Sequence, residues 1–162
     1  MRVFVLLMSL LLTACGFHLR GHAGMPFSTL YLNTTGPDTP FITELRQNLT
    51  VNNIKLVNSA EKADVILNIE SEVLDKQILS LSGAGRVSEF QLYYRVSVHA
   101  YDNKAQDWIP TETMEMRRDY SYSDTQILAK EQEEAMIVQS MRTDMVQQII
   151  RRLSRSKPLP PQ

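Results

Sequence analysis

Phe90, Leu92, Tyr94, Val96, Val98 and Ala100 alternate without interruption with Glu89, Gln91, Tyr93, Arg95, Ser97 and His99. A period of two sends every apolar side chain to one face of a strand and every polar one to the other. A strand of this length, dry on one side and wet on the other, belongs to an antiparallel sheet whose apolar face must be covered. The same period runs through Val65, Leu67, Ile69 and Val73, with Asn68, Glu70 and Glu72 opposite, and this preceding strand is expected to end near Leu79. Ser82-Gly83-Ala84-Gly85 turns the chain between the two. After Asp102-Asn103-Lys104 and Pro110, a third strand alternates Met114, Met116, Tyr120 and Tyr122 with Glu115, Arg117, Asp119 and Ser121.

The cover comes from segments with helical spacing. A short strand, Thr29-Leu30-Tyr31-Leu32-Asn33, closes at Gly36-Pro37. Asp38 or Thr39 then caps a helix with Pro40 in its first turn, and Phe41, Ile42, Leu45 and Leu49 share one face. Asn52-Asn53 stops it, and Ile54 to Val57 can form a short extended piece. Ser123 and Gln126 match a capping box, with Asp124 in the first turn, ahead of a long helix striped by Leu128, Ala135, Val138, Met141, Met145, Ile149 and Leu153. The methionines at 136, 141 and 145 read as core filler. The arrangement that buries every stripe is an α+β two-layer sandwich: one mixed, largely antiparallel four-stranded sheet with two helices on one face.

Length and charge narrow the function. The 162 residues are 43% hydrophobic and 22% charged, which suits one globular core. Net charge is -1, and -2 without Arg2, so nothing attracts nucleic acid globally and any anion site is local. Gly83-Ala84-Gly85 lacks the third glycine and following helix of a dinucleotide loop. No nucleophile elbow or zinc-protease motif is present, and no metal site is expected from the scattered His18, His22 and His99, so the chain reads as non-enzymatic.

One cysteine allows no internal disulfide. It follows Met1-Arg2, an apolar run from Val3 to Leu12 broken only by Ser9, then Thr13 and Ala14. Such a run is too short to span a hydrocarbon core of about 30 Å, which asks for about 20 residues, and reads as a secretory signal. Leu12-Thr13-Ala14-Cys15 resembles the bacterial lipobox. That resemblance implies cleavage after residue 14, S-diacylglycerol and N-acyl chains on Cys15, and permanent membrane attachment. Gly16, where inner-membrane retention asks for Asp, implies transfer to the outer membrane. The division expected is a cleaved signal over 1–14, a single α/β domain over 15–157, and a Pro-rich tail over 158–162 without an assigned role.

Three further stretches carry a family resemblance: Cys15-Gly16-Phe17-His18-Leu19-Arg20-Gly21, Gly85-Arg86-Val87-Ser88-Glu89-Phe90-Gln91-Leu92, and Leu128-Ala129-Lys130-Glu131 leading to Met136-Ile137-Val138. With these the chain resembles the LptE lipopolysaccharide-assembly lipoproteins along essentially its whole mature length. The resemblance implies a plug in the lumen of an LptD-type outer-membrane β-barrel in a one-to-one complex, and binding of lipopolysaccharide through Arg86 and Lys130. Read from the residues alone, Arg86 is first a solvated hairpin residue, and Lys130 a partner for Glu134 at i+4. Arg151, Arg152, Arg155 and Lys157 complement a helix dipole. A polar sheet face with Tyr93, Arg95 and His99 suits a hydrophilic lumen wall. The competing reading is a free-standing periplasmic lipid carrier with an apolar pocket; a lipoprotein hydrolase lacks the catalytic groups.

Overall fold

In the computed structural model, residues 24–159 are described. The signal segment, Cys15, His18, His22 and the mature-start motif lie outside them, as do the last three tail residues. The elements are β1 (Thr29–Thr34), α1 (Pro40–Val51), β2 (Lys55–Leu56), β3 (Val65–Leu81), β4 (Val87–Tyr101), β5 (Asp107–Ser121) and α2 (Ile127–Arg155). The sheet has five strands in the order β2-β1-β3-β4-β5, one more than expected. The addition is β2, a two-residue edge strand parallel to β1, formed from the extended piece after α1. A strand this short carries no period that a sequence can display.

The sheet is mixed because β1 and β3 run parallel, whereas β3, β4 and β5 form an antiparallel meander. The start of the parallel pair is fixed by Asp64. Its carboxylate accepts the Ser28 and Thr29 amides at 3.0 and 2.8 Å, while its own amide donates to the Thr29 hydroxyl at 2.8 Å. Thr39 caps α1, its Oγ1 accepting from the Ile42 amide at 3.3 Å, with Pro40 at the first helical positions. Phe41, Ile42, Leu45 and Leu49 are all buried, as their spacing predicts. Asn53, at φ 63°, takes the left-handed conformation that ends the helix.

The core runs from Phe27 to Leu153 and fills the layer between sheet and helices with Leu30, Phe41, Leu67, Leu92, Met145 and Leu153, all fully buried. It occupies only part of the sheet. No residue from 70 to 91 is buried, so the end of β3 and the first residues of β4 extend past it as a hairpin, which β5 flanks as far as Ser121 opposite Glu89. Gly85, at φ 73°, closes the tip, with the Ser82 amide donating to the Arg86 carbonyl at 2.7 Å.

Two expectations fail along these long elements. Val73 does not share a face with Val65, Leu67 and Ile69, because the register shifts between Ile69 and Ser71. A one-residue bulge exchanges the faces of everything beyond it. Val73 therefore sits opposite Arg95 on the polar side, and Glu72 turns in opposite Val96. Glu72 is satisfied there by the hydroxyls of Tyr94 and Thr39, both donating at 2.6 Å. Burial pushes the Tyr94 phenol upward, and the Glu72 carboxylate adds to the shift. In α2, burial begins at Met141: Leu128 is 77% exposed, Met136 67%, and Ala135 is also exposed. Nor does Ser123 form a capping box, since its hydroxyl meets Thr125 at 2.9 Å, a 3₁₀ turn covers Asp124–Gln126, and the helix starts at Ile127.

Candidate functional site at the hairpin tip

The part of the molecule that the core does not use is the end where β3 and β4 outrun it. Ile78, Leu79 and Leu81 of β3 are exposed there, as are Ile127 and Leu128 at the start of α2. Scattered exposed apolar residues are ordinary, but a group collected at one extremity is a contact surface. Ile78, 58% exposed, stands opposite Phe90, whose ring packs against Tyr120 at 5.8 Å and Tyr122 at 5.1 Å.

Arg86 lies at the same end of the hairpin. It is the first residue after the turn, exposed, and no carboxylate among the described residues pairs with it. Lys130 is differently placed from the expectation. Its side chain is only 14% exposed, and its ammonium donates to Ser121 Oγ at 3.0 Å and to Glu133 at 2.7 Å, not to Glu134. Ser121 pairs with Glu89, three residues along β4 from Arg86. At about 3.3 Å per residue, Arg86 and the Glu89–Ser121 pair that Lys130 reaches are roughly 10 Å apart along the strand direction, so both cations belong to one end of the sheet.

Glu134 is taken instead by Lys76, at 2.5 Å, and by the Tyr120 hydroxyl. Lys76 also lies 4.2 Å from the centre of the Phe90 ring. Burial alone would lower the Lys76 pKa, but Glu134 and Tyr120 outweigh it and hold it above its ordinary value. Burial would likewise raise Glu134, yet its contacts with Lys76 and Tyr120 hold it below. This network ties α2 to the hairpin beneath the tip. Lys76, Ile78, Leu81 and Ile127 stand in no motif or apolar stripe, and Leu128 enters only as a member of a stripe expected to be buried. A signal existed in Ile78, Leu79 and Leu81 just before a glycine turn, where exposed apolar residues have no folding purpose.

The outward face of the sheet is a lattice of paired polar groups. Glu115 accepts from Arg95 at 2.7 Å and lies 2.6 Å from Arg117, and both guanidinium groups sit 5.2 Å from the Tyr93 ring. The Arg95 and Arg117 hydrogen bonds hold the Glu115 carboxyl below its ordinary range. Ser97 meets Thr113 and His99 meets Asp107, each at 2.8 Å. Among the described residues no three His, Cys, Asp or Glu side chains are grouped to hold a metal, and no helix is long and apolar enough to cross a membrane.

The family model for lipopolysaccharide-assembly LptE proteins matches residues 27–153, the span of the core. The chain belongs to the LptE family. It is 32% identical to the LPS-assembly lipoprotein LptE of Yersinia pestis over 94% of this chain and 75% of that one. Against the LptE of Pectobacterium atrosepticum the identity is 29%, over 94% and 85% of the two chains. The solution structure of lipoprotein B from Nitrosomonas europaea is similar in fold, with a TM-score of 0.75 and 35% identity over 86% of this chain and 90% of that one. LptE proteins are named for an assembly role and not for catalysis, and the chain is accordingly a non-enzymatic member.

Proposed function

We propose that this LptE-family chain is an outer-membrane lipoprotein that plugs an LptD-type β-barrel, supports its assembly in a one-to-one complex, and binds lipopolysaccharide during insertion into the outer leaflet. Residues 1–14 are its cleaved signal, and Cys15 carries the S-diacylglycerol and N-acyl chains that hold it to the membrane. The observation that carries the reading is the hairpin tip, where the exposed Arg86 follows the turn and the exposed Ile78, Leu79 and Leu81 precede it. A lipid with phosphorylated sugars and several acyl chains needs a cation and apolar surface next to each other. Arg forms short, charge-assisted bonds to phosphate oxygens. Lys130 is the second cation, and reaches a phosphate by exchanging Glu133 and Ser121 for it.

The satisfied polar face of β4 and β5 fits a hydrophilic lumen wall, since such groups accept hydrogen bonds from a wall without first burying an unpaired charge. The layer between sheet and helices is filled by side chains, which favours contact at the surface over a carrier's internal pocket. Two measurements test the reading. Mild detergent extraction yields a stable complex with a large barrel, and recovery of the chain alone would count against the plug. Arg86→Asp weakens lipopolysaccharide binding about tenfold, or ~1.4 kcal/mol, with unchanged melting. Lys130→Gln weakens it less, and equal binding by the double variant removes both residues from the site.

A further inference from the structure

The opposite end of the sheet holds a second feature, which the tip reading does not use. A cleft of about 480 Å³ opens between the start of β5 and the last turns of α2. Trp108 and Pro110 form one wall; Gln148, Arg151, Arg152 and Arg155, which share a helix face at i, i+3, i+4 and i+7, form the other. One acid lies within it. Glu112 is neutralised by Arg152 Nη1, at 2.5 and 2.7 Å from its two oxygens. Arg151 and Arg155 have no carboxylate within ion-pair distance among the described residues, so two positive charges are left facing the cleft. The helix dipole explains cations near a C-terminus, but not their grouping beside a tryptophan and a proline along an open cleft.

The described chain begins at the same end. Phe27, at the root of β1, packs edge-on against Trp108 with ring centres 5.5 Å apart, so one tryptophan borders both the cleft and the departing N-terminal segment. Eight residues lie between Cys15 and Gly24, nine Cα steps that span at most about 32 Å of extended chain. An anchor at Cys15 therefore keeps this cleft within reach of a lipid surface. Half-buried tryptophan beside arginine is the chemistry of a membrane interface, where apolar and wet environments meet.

We infer that the cleft binds the phosphate headgroup of an anionic glycerophospholipid in the leaflet that carries the anchor. Arg151 and Arg155 take the phosphate, and Trp108 and Pro110 lie against the glycerol and upper acyl carbons. The choice of a lipid rests on the acylated Cys15 proposed above; the charge of the ligand rests on the cleft alone.

Native mass spectrometry of the acylated full chain in non-ionic detergent reads both, because a covalent acyl mass survives denaturation and a bound phospholipid does not. Titrated with phosphatidylglycerol, the chain retains one lipid, and retains phosphatidylcholine at least fivefold less. Arg151→Ala with Arg155→Ala lowers phosphatidylglycerol retention at least fivefold at an unchanged melting temperature, whereas Arg151→Lys with Arg155→Lys keeps most of it. Equal retention of the two lipids, or full retention by the alanine variant, overturns the inference. Displacement by millimolar inorganic phosphate would mean a free-anion site, and displacement by equimolar lipopolysaccharide would mean a second part of the tip's pathway; either overturns it. A chain that lacks the acyl mass yet retains phosphatidylglycerol sinks the anchor reading and leaves the cleft's ligand standing.

Discussion

Glu72 holds together three elements through one carboxylate. It belongs to β3, and accepts from Tyr94 of β4 and from Thr39, which also caps α1. Tyr94→Phe removes one donor from a half-buried carboxylate and is expected to cost about 1–2 kcal/mol in urea unfolding. Thr39→Ala costs about as much through the lost cap, and the two together fall short of additivity because they share Glu72. Asp64 sets a pH dependence. The Ser28 amide, then the Thr29 amide, lower its pKa from 3.8 despite some opposing burial. Its contribution to stability is therefore full above that value and lost as pH falls through the folded one. Unfolding midpoints measured from pH 6 to pH 2 should decline less steeply in Asp64→Asn. Thr39 was legible as a cap from its place before Pro40, but Glu72 was not legible as an inward residue: its face depends on a bulge, and a bulge is a property of register between strands that composition does not carry.

At the scale of elements, α2 is two helices in one. From Met141 to Leu153 it buries an apolar stripe; from Ile127 to Met136 it is held by polar ties such as Lys76 with Glu134 and Lys130 with Ser121. Hydrogen exchange is expected to divide it in the same way, with amides of 127–136 exchanging faster than those of 142–153. Leu153→Ala should destabilise by about 2–5 kcal/mol, and Leu128→Ala by less than about 0.5 kcal/mol. Equal effects would contradict the division. Helical periodicity revealed the whole stripe yet could not reveal where its cover ends, because Leu128 and Leu153 look alike in sequence and differ only in what the sheet places under them. The strands of the meander were legible because their alternation is long; β2 is too short to alternate.

At the scale of the molecule, folding and contact are assigned to different lengths of the same strands. Replacing residues 79–89 by an Asn-Gly turn, which joins the paired Ile78 and Phe90, deletes no buried residue. Calorimetry should find stability within roughly 1 kcal/mol of the intact chain, while lipopolysaccharide binding is lost. Loss of folding would mean that the tip belongs to the core after all. The candidate site was partly legible: Arg86 came from its motif and is exposed, Lys130 came from its motif and is largely covered, and the exposed apolar residues at the same end became visible only once the core was seen to stop short.

The fifteen residues of β4 also make a ruler. At ~3.3 Å each they measure roughly 50 Å, slightly more than the 40–45 Å or so of a bilayer with its headgroups. If the anchor and the barrel are as proposed, a rod of this length brings its far end level with the opposite water, so that a protein fastened indoors keeps a fingertip at the outer doorstep.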